Sequence, residues 1–395
     1  MNQQFHKIMH RTILQFTLHF LKLTLLTVIV AITISTEPAF AQHVKVLTTE
    51  ADDARIDAYE KKLEKYLRHY LVDEYDARAS KAWHRDYSSP DALIRSVEPN
   101  RMRWKNEVIK PPRLEKTGPL TRKPYKLPGL TGEWLQLPLG TISAEAVIVY
   151  PKGAGKKSPV PLIIALHGIG SGPETPFEDG ENYHAYAKAL VDAGFAVLAP
   201  LNMRTIPRRN NMERLARLAD VSLPGIELAR LQHLLDVVLQ DERIDENQVG
   251  AWGVSLGGMA TMFWMPLEPR IKAGVVSAWF NHRLNKMAVP DKRYSSFSPT
   301  EEHAFFSGWL TEFSDHDVVS LICPRPLQIQ HGKNDGIAYW PQVVEEFDRA
   351  KLHYERLGLS GRIELRMHEG EHEALVTEGV NFFKKWFAGY RNVEQ

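Results

Sequence analysis

A serine flanked by glycines is the residue of this sequence best placed to do chemistry. Ser255 stands in the pentapeptide Gly253-Val254-Ser255-Leu256-Gly257, between an apolar run (248–252) and a segment of helical character (259–265). A Gly-x-Ser-x-Gly motif between a strand and a helix is typical of a nucleophile elbow, a tight turn that presents the serine hydroxyl. The glycines leave room for the turn, and the start of a helix favours negative charge developing beside it. We therefore predict that Ser255 is the nucleophile of an acyl transfer.

Acyl transfer by a serine also needs a base, an acid that orients the base, and backbone donors for the oxyanion. Three further motifs follow apolar runs, at 161–167, 326–331 and 362–367, and they read His167-Gly168-Ile169-Gly170, His331-Gly332-Lys333-Asn334-Asp335-Gly336 and His368-Glu369-Gly370-Glu371-His372. In an open parallel sheet, loops at the carboxyl ends of the strands meet at one edge. We therefore expect these motifs to lie close to Ser255.

The elements that must position these motifs alternate between strand and helix. Apolar or alternating runs predict strands at 142–150, 161–167, 195–201, 248–254, 272–279, 326–331 and 362–367. Helical patterns lie at 181–193, 224–241, 259–266, 339–358 and 372–389. This alternation predicts an α/β fold with a mainly parallel central sheet flanked by helices.

The segment before this pattern differs in character. Ile56, Tyr59, Leu63, Leu67 and Leu71 recur at helical spacing, and 91–109 predicts a second helix. Residues 111–128, rich in Pro, Lys and Arg, predict a linker or extended arm. We therefore divide the chain into an N-terminal helical extension with linker (42–131) and a catalytic domain (132–395), in which 281–320 forms a cap-like insertion.

The first 41 residues are typical of a secretory signal peptide. Three basic residues precede or flank an apolar run (23–34), and Ala39-Phe40-Ala41 offers a cleavage site. The sequence thus predicts an exported protein, periplasmic or secreted; the alternative is an uncleaved membrane anchor. The near-neutral charge (+1, and −1 once the signal is removed) argues against nucleic acid or an anionic membrane as the main partner, and we expect no stable membrane insertion after signal cleavage. The single cysteine, Cys323, excludes an internal disulfide.

The order Ser, Asp, His, with an HGxG motif upstream, resembles the α/β-hydrolase superfamily. The sequences around these residues (HGIG, WGVSLGG, PRPLQIQHGKNDG and HEGEHE) are similar to those of the dienelactone-hydrolase-like and acetyl-xylan-esterase-like branch. The resemblance covers about 132–389. Dienelactone hydrolases use a cysteine nucleophile, so the serine here points to the esterase members.

The resemblance implies specific roles for five residues. Ser255 would be the nucleophile, Asp335 the orienting acid and His372 the base, and the backbone amides of Leu256 and Ile169 would form the oxyanion hole. Such a site uses neither a metal nor a cofactor. From the residues alone, Asp315 and Asp317 compete with Asp335, and His368 competes with His372; we expect His167 and His331 to be structural.

His368-Glu369-Gly370-Glu371-His372 also fits the H-E-x-x-H pattern of zinc proteases. That chemistry needs both histidines on one face of a continuous helix. The motif here follows an alternating strand, and Gly370 disfavours a helix at its centre. We therefore do not predict a zinc site.

The resemblance suggests short acyl esters as substrates, in particular acetyl esters on oligosaccharides or polysaccharides. The insertion is polar (Lys286, Asp291, Lys292, Arg293, Glu301, Glu302 and His303), which fits a hydrated substrate better than a lipid. Its aromatic residues would either stack on sugar rings or pack the insertion onto the core (Phe280, Tyr294, Phe297, Phe305, Phe306 and Trp309).

Two other functions remain open. A serine peptidase of the prolyl-oligopeptidase type has the same catalytic order, although residues 42–131 are too few for the β-propeller that such enzymes usually carry. A binding protein that retained the fold is the third possibility, against which the complete set of Ser, Asp and His candidates argues. The sequence predicts no oligomeric state.

Overall fold

The structure is a computed structural model that describes residues 50–180, 182–291, 294–296 and 301–388. The predicted signal peptide (1–41) lies outside the described residues. The chain divides into two compact units, Met1–Tyr66 and Leu67–Gln395. Within the described residues, the first unit consists of one helix, α1 (Glu50–Arg68), whose last two residues belong to the second unit. Acidic residues lie in the first turn of this helix. The predicted amphipathic helix is therefore present, and its apolar side chains Ile56, Tyr59 and Leu63 are exposed.

The second unit begins with short helices. After a π-helical turn (His69–Asp73) come α2 (Tyr75–Ala82), α3 (Pro90–Ser96), α4 (Glu98–Arg103) and a second π-helical turn (Trp104–Ile109). Ser89 caps α3, because its hydroxyl accepts a hydrogen bond from the Ala92 amide. The helix predicted over 91–109 is thus three shorter helical pieces.

The described residues then form a nine-stranded sheet. Its strands are β1 (Thr121–Leu127), β2 (Leu130–Leu139), β3 (Ile142–Val149), β4 (Val160–Leu166), β5 (Ala196–Pro200), β6 (Ile244–Val254), β7 (Ile271–Ser277), β8 (Leu327–Gly332) and β9 (Ile363–His368). They lie in the order β1-β2-β3-β5-β4-β6-β7-β8-β9. The first three strands and the β3–β5 pair are antiparallel, whereas β5, β4 and β6 to β9 run parallel.

Helices cover this sheet. They are α5 (Tyr186–Asp192), α6 (Ile206–Leu218), α7 (Leu223–Val238), α8 (Leu256–Trp264), α9 (Arg283–Ala288), α10 (Trp309–Glu312), α11 (Asp315–Ile322), α12 (Trp340–Glu355) and α13 (Val376–Ala388). Short 3₁₀ turns lie at Thr175–Phe177, Glu302–Ala304 and Ser360–Arg362. The mainly parallel sheet flanked by helices confirms the predicted fold class.

The central strands are buried on both faces. Residues 162–166 of β4 and 196–199 of β5 are at most 1% exposed, which accounts for their nearly continuous apolar sequence. Side chains on one face pack against Trp264 and Phe263, and side chains on the other pack against Phe383 and Tyr186. The sheet therefore lies between two apolar layers, whose packing holds the central strands in place.

The structure corrects two details of the sequence analysis. The segment predicted as a linker or extended arm contains β1, which pairs with β2 along its whole length, so the sheet begins before residue 132. Strand β1 carries Pro124 and three cationic side chains and is mostly exposed, as edge strands commonly are, so it lacks an apolar pattern. Helix α6 was not predicted, because its buried face is largely polar and includes Arg209 and Glu213.

Of the part of the chain that the structure describes, no helix combines the length and the apolar character needed to span a bilayer.

Trp104 fixes the short helices to helix α8, which covers the sheet. It is fully buried, its indole N–H donates to the Phe263 carbonyl oxygen at 3.1 Å, and its ring packs on Phe263 (4.9 Å between centroids) and Phe313 (5.3 Å). Nearby, a methyl group at Gly225 would collide with the Ile109 carbonyl oxygen, so helix α7 and the second π-helical turn are in direct backbone contact. Residues 104–109 therefore belong to the core of the second unit.

We expect Trp104→Ala to lower the free energy of unfolding by about 3–5 kcal/mol, because it removes a large buried ring and leaves a cavity. Urea denaturation followed by circular dichroism measures the effect. Met102→Ala, at an exposed position two residues away, is the matched control and should change the free energy by less than about 0.5 kcal/mol. Equal stabilities of the two variants would show that this contact does not hold the helices to the core.

Candidate active site

Ser255 occupies a strained turn between β6 and α8. Its backbone angles are φ 58° and ψ −120°, a region that costs a non-glycine residue about 1–3 kcal/mol. A methyl group at Gly253 would collide with the Gly257 carbonyl oxygen, and one at Gly257 would collide with the Leu166 carbonyl oxygen. The two glycines of the motif are therefore required by close backbone approach, as expected of a nucleophile elbow.

Hydrogen bonds tie the carboxyl ends of neighbouring strands together around this turn. The Ser255 amide donates to the Ser277 carbonyl oxygen at the end of β7 (2.9 Å), and the Ala278 amide donates to the Gln330 carbonyl oxygen in β8 (3.0 Å). Beyond β8, the Lys333 amide donates to the His368 carbonyl oxygen of β9 (2.8 Å). The motifs that follow β6, β8 and β9 therefore lie at one edge of the sheet.

At this edge Asp335 and His372 form a hydrogen-bonded pair. His372 Nδ1 lies 2.7 Å from Asp335 Oδ2, and Oδ1 of the same carboxylate accepts a hydrogen bond from the Ile337 amide at 2.9 Å. Asp335 is 1% exposed; burial alone would raise the pKa of its carboxyl, but the hydrogen bond and charge of His372 and the Ile337 amide lower it. The aspartate is thus held ionised beside a partly exposed imidazole.

The competing carboxylates are engaged elsewhere. Asp315 pairs with the buried Arg283 (2.9 Å). Asp317 accepts a hydrogen bond from Tyr75 (2.5 Å) and forms an ion pair with Arg85. Among the three aspartates considered from the sequence, Asp335 is the one in contact with a histidine of the motif after β9.

The loop that carries His372 is held from both sides. Asn182 donates from its side-chain amide to the His372 carbonyl oxygen (2.6 Å), and its own carbonyl accepts from the Ala374 amide (2.9 Å). On the opposite side, the Asn334 amide donates to the Gly370 carbonyl oxygen (3.0 Å). His372 itself precedes α13 by four residues, so the expectation that it opens the last helix was wrong.

The HGIG loop, which contacts the Ser255 turn, leaves one backbone amide without a hydrogen-bond partner among the described residues. The Gly168 amide donates to the Tyr183 hydroxyl (2.6 Å), and the Gly170 amide donates to the Arg204 carbonyl oxygen (2.8 Å). The Ile169 amide between them has no such partner within the described residues. A methyl group at Gly168 would lie 3.2 Å from Ser255 Cβ, so this loop touches the Ser255 turn.

The Leu256 amide is the second candidate donor. Leu256 is the first residue of α8, and the first amides of a helix have no partner inside the helix. The Ser255 amide, in contrast, is used in the bond to Ser277. The two amides predicted to form an oxyanion hole, those of Leu256 and Ile169, are therefore both without a hydrogen-bond partner among the described residues.

No hydrogen bond joins Ser255 to His372 within the described part of the chain. In proteins without bound substrate, such catalytic hydrogen bonds are commonly long and shorten when substrate binds. What the structure shows directly is an Asp–His pair, a strained serine and two available amides at one sheet edge. Their catalytic roles remain predictions.

The two histidines expected to be structural, His167 and His331, differ in their contacts. His167 accepts a hydrogen bond from the Asn202 amide at Nε2 (3.2 Å) and donates from Nδ1 to the Gly168 carbonyl oxygen (3.0 Å), which joins the loops after β4 and β5. His331 is 1% exposed, and neither of its ring nitrogens has a hydrogen-bond partner among the described residues. Burial lowers the pKa of His331 to about 4.

The H-E-x-x-H segment is not a helix. His368 ends β9, and the residues from Glu369 to Leu375 form bends and irregular structure. Glu373, the residue after the motif, accepts hydrogen bonds from the Glu371 amide (3.1 Å) and from His184 Nε2 (2.5 Å). The helical geometry that a zinc protease requires is therefore not present in this segment.

The insertion 281–320 contacts the loop that bears Asp335. From α9, Lys286 donates to the Ile337 carbonyl oxygen (2.7 Å), and Tyr294 packs on Tyr339 (5.4 Å between ring centroids). Burial lowers the pKa of Lys286 to about 8. Its aromatic residues Phe306 and Trp309 are buried against Phe263, so they pack onto the core rather than facing a sugar; the predicted Phe297 lies outside the described residues.

We expect His331 to make the protein sensitive to acid. The unfolded chain binds a proton at this residue as the pH falls through about 6.5, whereas the folded chain does not until about pH 4, so stability is lost across that window. Between pH 7 and 4.5 the loss should be about 2 kcal/mol, and urea denaturation of His331→Gln should show a loss smaller by that amount. Identical pH dependence of the two proteins would contradict the assignment of a neutral, buried His331.

The sequence matches no protein-family model and no curated protein. The structure is similar to solved structures. With a protein of Bacteroides fragilis provisionally assigned as an acetyl xylan esterase, the TM-score is 0.59 at 18% identity, over 73% of this chain and 78% of the other. With a glucuronoyl esterase from Solibacter usitatus the TM-score is 0.55 at 12% identity, over 75% and 94% of the two chains.

A third similar structure is a family 15 glucuronoyl esterase from Teredinibacter turnerae, with a TM-score of 0.55 at 16% identity over 76% of this chain and 86% of the other. At identities this low, the structural similarity establishes the fold, and the activity must be argued from the site. Together with the strand order and the turn at Ser255, these similarities confirm that the chain has the α/β-hydrolase fold.

Proposed function

We propose that the protein is a serine carboxylic-ester hydrolase. The observation that carries the proposal is the Asp335–His372 hydrogen bond at the sheet edge where the strained Ser255 turn lies. Fold stability requires neither a strained serine nor a buried carboxylate paired with a partly exposed histidine. Such a combination is instead typical of a nucleophile, a base and an orienting acid.

The reaction would proceed through an acyl-enzyme. Asp335 accepts the hydrogen bond from His372 Nδ1–H, which leaves Nε2 free to take the proton of the Ser255 hydroxyl as its oxygen attacks the ester carbonyl. The tetrahedral intermediate collapses when His372 returns that proton to the departing alcohol. His372 then takes a proton from water, whose oxygen attacks the acyl-enzyme, and the acid leaves as the Ser255 hydroxyl is restored.

The oxyanion of each tetrahedral intermediate would accept hydrogen bonds from the Leu256 and Ile169 amides. Both are fixed before substrate arrives: Leu256 by its place at the start of α8, and Ile169 by the hydrogen bonds of Gly168 and Gly170 on either side. Donors that need no reorganisation contribute most to such stabilisation, and each is worth about 3 kcal/mol of the barrier.

We infer that the substrates are carbohydrate esters, with acetyl esters of oligosaccharides or polysaccharides as the finer proposal. Similar structures include proteins described as an acetyl xylan esterase and glucuronoyl esterases, which supports an ester-bearing carbohydrate as the substrate class. The predicted signal peptide supports an exported enzyme that meets such polymers outside the cytoplasm. The described segment ahead of the sheet (50–109) is helical, so it offers no support for a peptidase with a β-propeller.

We expect Ser255→Ala to abolish acetate release from acetylated xylan oligomers and from p-nitrophenyl acetate, because the nucleophile is lost. Asp335→Asn should lower kcat by about 10⁴-fold, because the imidazole is no longer held in the tautomer that the reaction needs. A chelator should leave the wild-type rate unchanged. The assignment would be wrong if Ser255→Ala kept more than a few per cent of the activity, and cleavage of peptides in place of esters would favour the peptidase.

Substitution of Asn182 tests whether catalysis requires its contact with the His372 loop. Asn182→Ala removes the 2.6 Å hydrogen bond to the His372 carbonyl oxygen, and we expect kcat to fall about tenfold to a hundredfold while KM changes little. Asn247→Ala, an exposed asparagine near the amino end of β6, is the control and should keep the wild-type kcat. An unchanged kcat in Asn182→Ala would mean that the loop positions itself without this contact.

A further inference from the structure

A groove of about 860 Å³ lies at the carboxyl edge of the sheet, beyond the HGIG loop (167–170). Its walls are the start of β3, the segment 201–205 that follows β5, helix α6 and the first half of α7. Its volume is in the range typical of ligand sites in proteins. The groove has no part in the mechanism described above.

The groove adjoins the proposed active site. In the sheet, β5 is separated from β6 by β4 alone, so the strand ends that carry the groove and Ser255 are about 10 Å apart. Its wall is hydrogen-bonded to the HGIG loop, because the Arg204 carbonyl accepts from the Gly170 amide and the Asn202 amide donates to His167. If the ester of a polymeric substrate lies at Ser255, a neighbouring sugar residue of the same polymer would reach the groove.

Three guanidinium groups line the groove. Arg204 and Arg208 are exposed and form no ion pair with a carboxylate of the described residues. Arg230 is half-buried and donates to two carbonyl oxygens, those of Ser143 (2.7 Å) and Leu201 (3.0 Å). Burial lowers the pKa of Arg230, which reflects the cost of a positive charge removed from water without a directly bound anion.

The two carboxylates near the groove act on Arg209 and Arg230 and form no ion pair with Arg204 or Arg208. Glu227 lines the groove but pairs with the fully buried Arg209 (2.7 Å). Glu145, whose charge also acts on Arg230, accepts hydrogen bonds from Ser143 (2.5 Å) and from Trp134. The charges of Arg204 and Arg208 therefore stay uncompensated in the groove, and much of its remaining wall is apolar, with Met203, Met212, Leu215, Val221 and Ile226.

We propose that this groove binds a carboxylate-bearing sugar residue of the substrate, so that the preferred substrates are esters of acidic glycans. The carboxylate would interact with Arg204 and Arg208, and the C–H face of the ring would contact Met203 and Met212. This inference rests on the proposed function and narrows its substrate class. Arg204 and Arg208 would act as specificity-determining residues.

A matched pair of substrates tests the proposal: acetylated oligogalacturonate and the same oligomer with its carboxyl groups reduced to alcohols. Wild-type protein should show the higher kcat/KM for the acidic oligomer. The ratio of the two values should fall at least about tenfold in the double variant Arg204→Gln/Arg208→Gln, since each charge-assisted contact is worth about that much. High salt should lower the ratio in the same direction, because the arginines are exposed.

Arg95→Gln, which alters an exposed arginine on α3, is the control and should keep the wild-type ratio. Calorimetric titration of Ser255→Ala protein with unacetylated oligogalacturonate measures binding without turnover. The affinity should fall when Arg204→Gln/Arg208→Gln is added to that variant. A ratio that is the same in wild-type and double variant would overturn the proposal. So would a preference for 12-acetoxydodecanoate that depends on the two arginines, since the occupant would then be an aliphatic acid.

The experiment also separates this inference from the proposed function. If p-nitrophenyl acetate and both oligomers are hydrolysed but charge has no influence, the esterase stands and the acidic subsite falls. If none of the esters is hydrolysed, the proposed function fails, and this inference fails with it.

Discussion

The approach of three backbone segments around Ser255 is the constraint on which the site depends. Gly253, Gly257 and Leu166 come so close that no side chain fits between them, and Ser255 is forced to a positive φ. Such strain persists only where the surroundings over-determine it. Here the buried strands β4, β6 and β7 and the packed helix α8 supply that rigidity. The stability of the sheet is thus used to hold one hydroxyl in an otherwise unfavourable position.

A buried hydrogen-bond relay extends this rigidity from the serine turn to the loop of the histidine. The Trp252 indole donates to the Ser277 hydroxyl (2.9 Å), which donates to the Gln330 side-chain oxygen (2.7 Å). The same oxygen accepts the Leu375 amide (2.8 Å), three residues beyond His372. Buried polar groups that are fully satisfied specify one arrangement of the elements they join. The relay therefore fixes β6, β7, β8 and the His372 loop relative to one another.

Much of the fold could be predicted from the sequence, because buried parallel strands have nearly continuous apolar sequences. Strand β1 and helix α6 could not, since the first is a charged edge strand and the second buries polar side chains. At the site, motifs located Ser255 and the pair Asp335–His372. The contact of Asn182 with the His372 loop joins residues 190 apart and has no local sequence signal. The arginine groove was missed for the same reason, because the segments that form it meet only in the folded chain.

Covalent labelling tests directly whether Ser255 is an activated nucleophile. The protein would be treated with diethyl p-nitrophenyl phosphate and analysed by intact-mass and peptide mass spectrometry. We expect one diethylphosphoryl group per chain, located on Ser255, with labelling lost after unfolding and slowed in Asp335→Asn. Labelling at another residue, or labelling of Ser255 at the same rate in the unfolded chain, would contradict it.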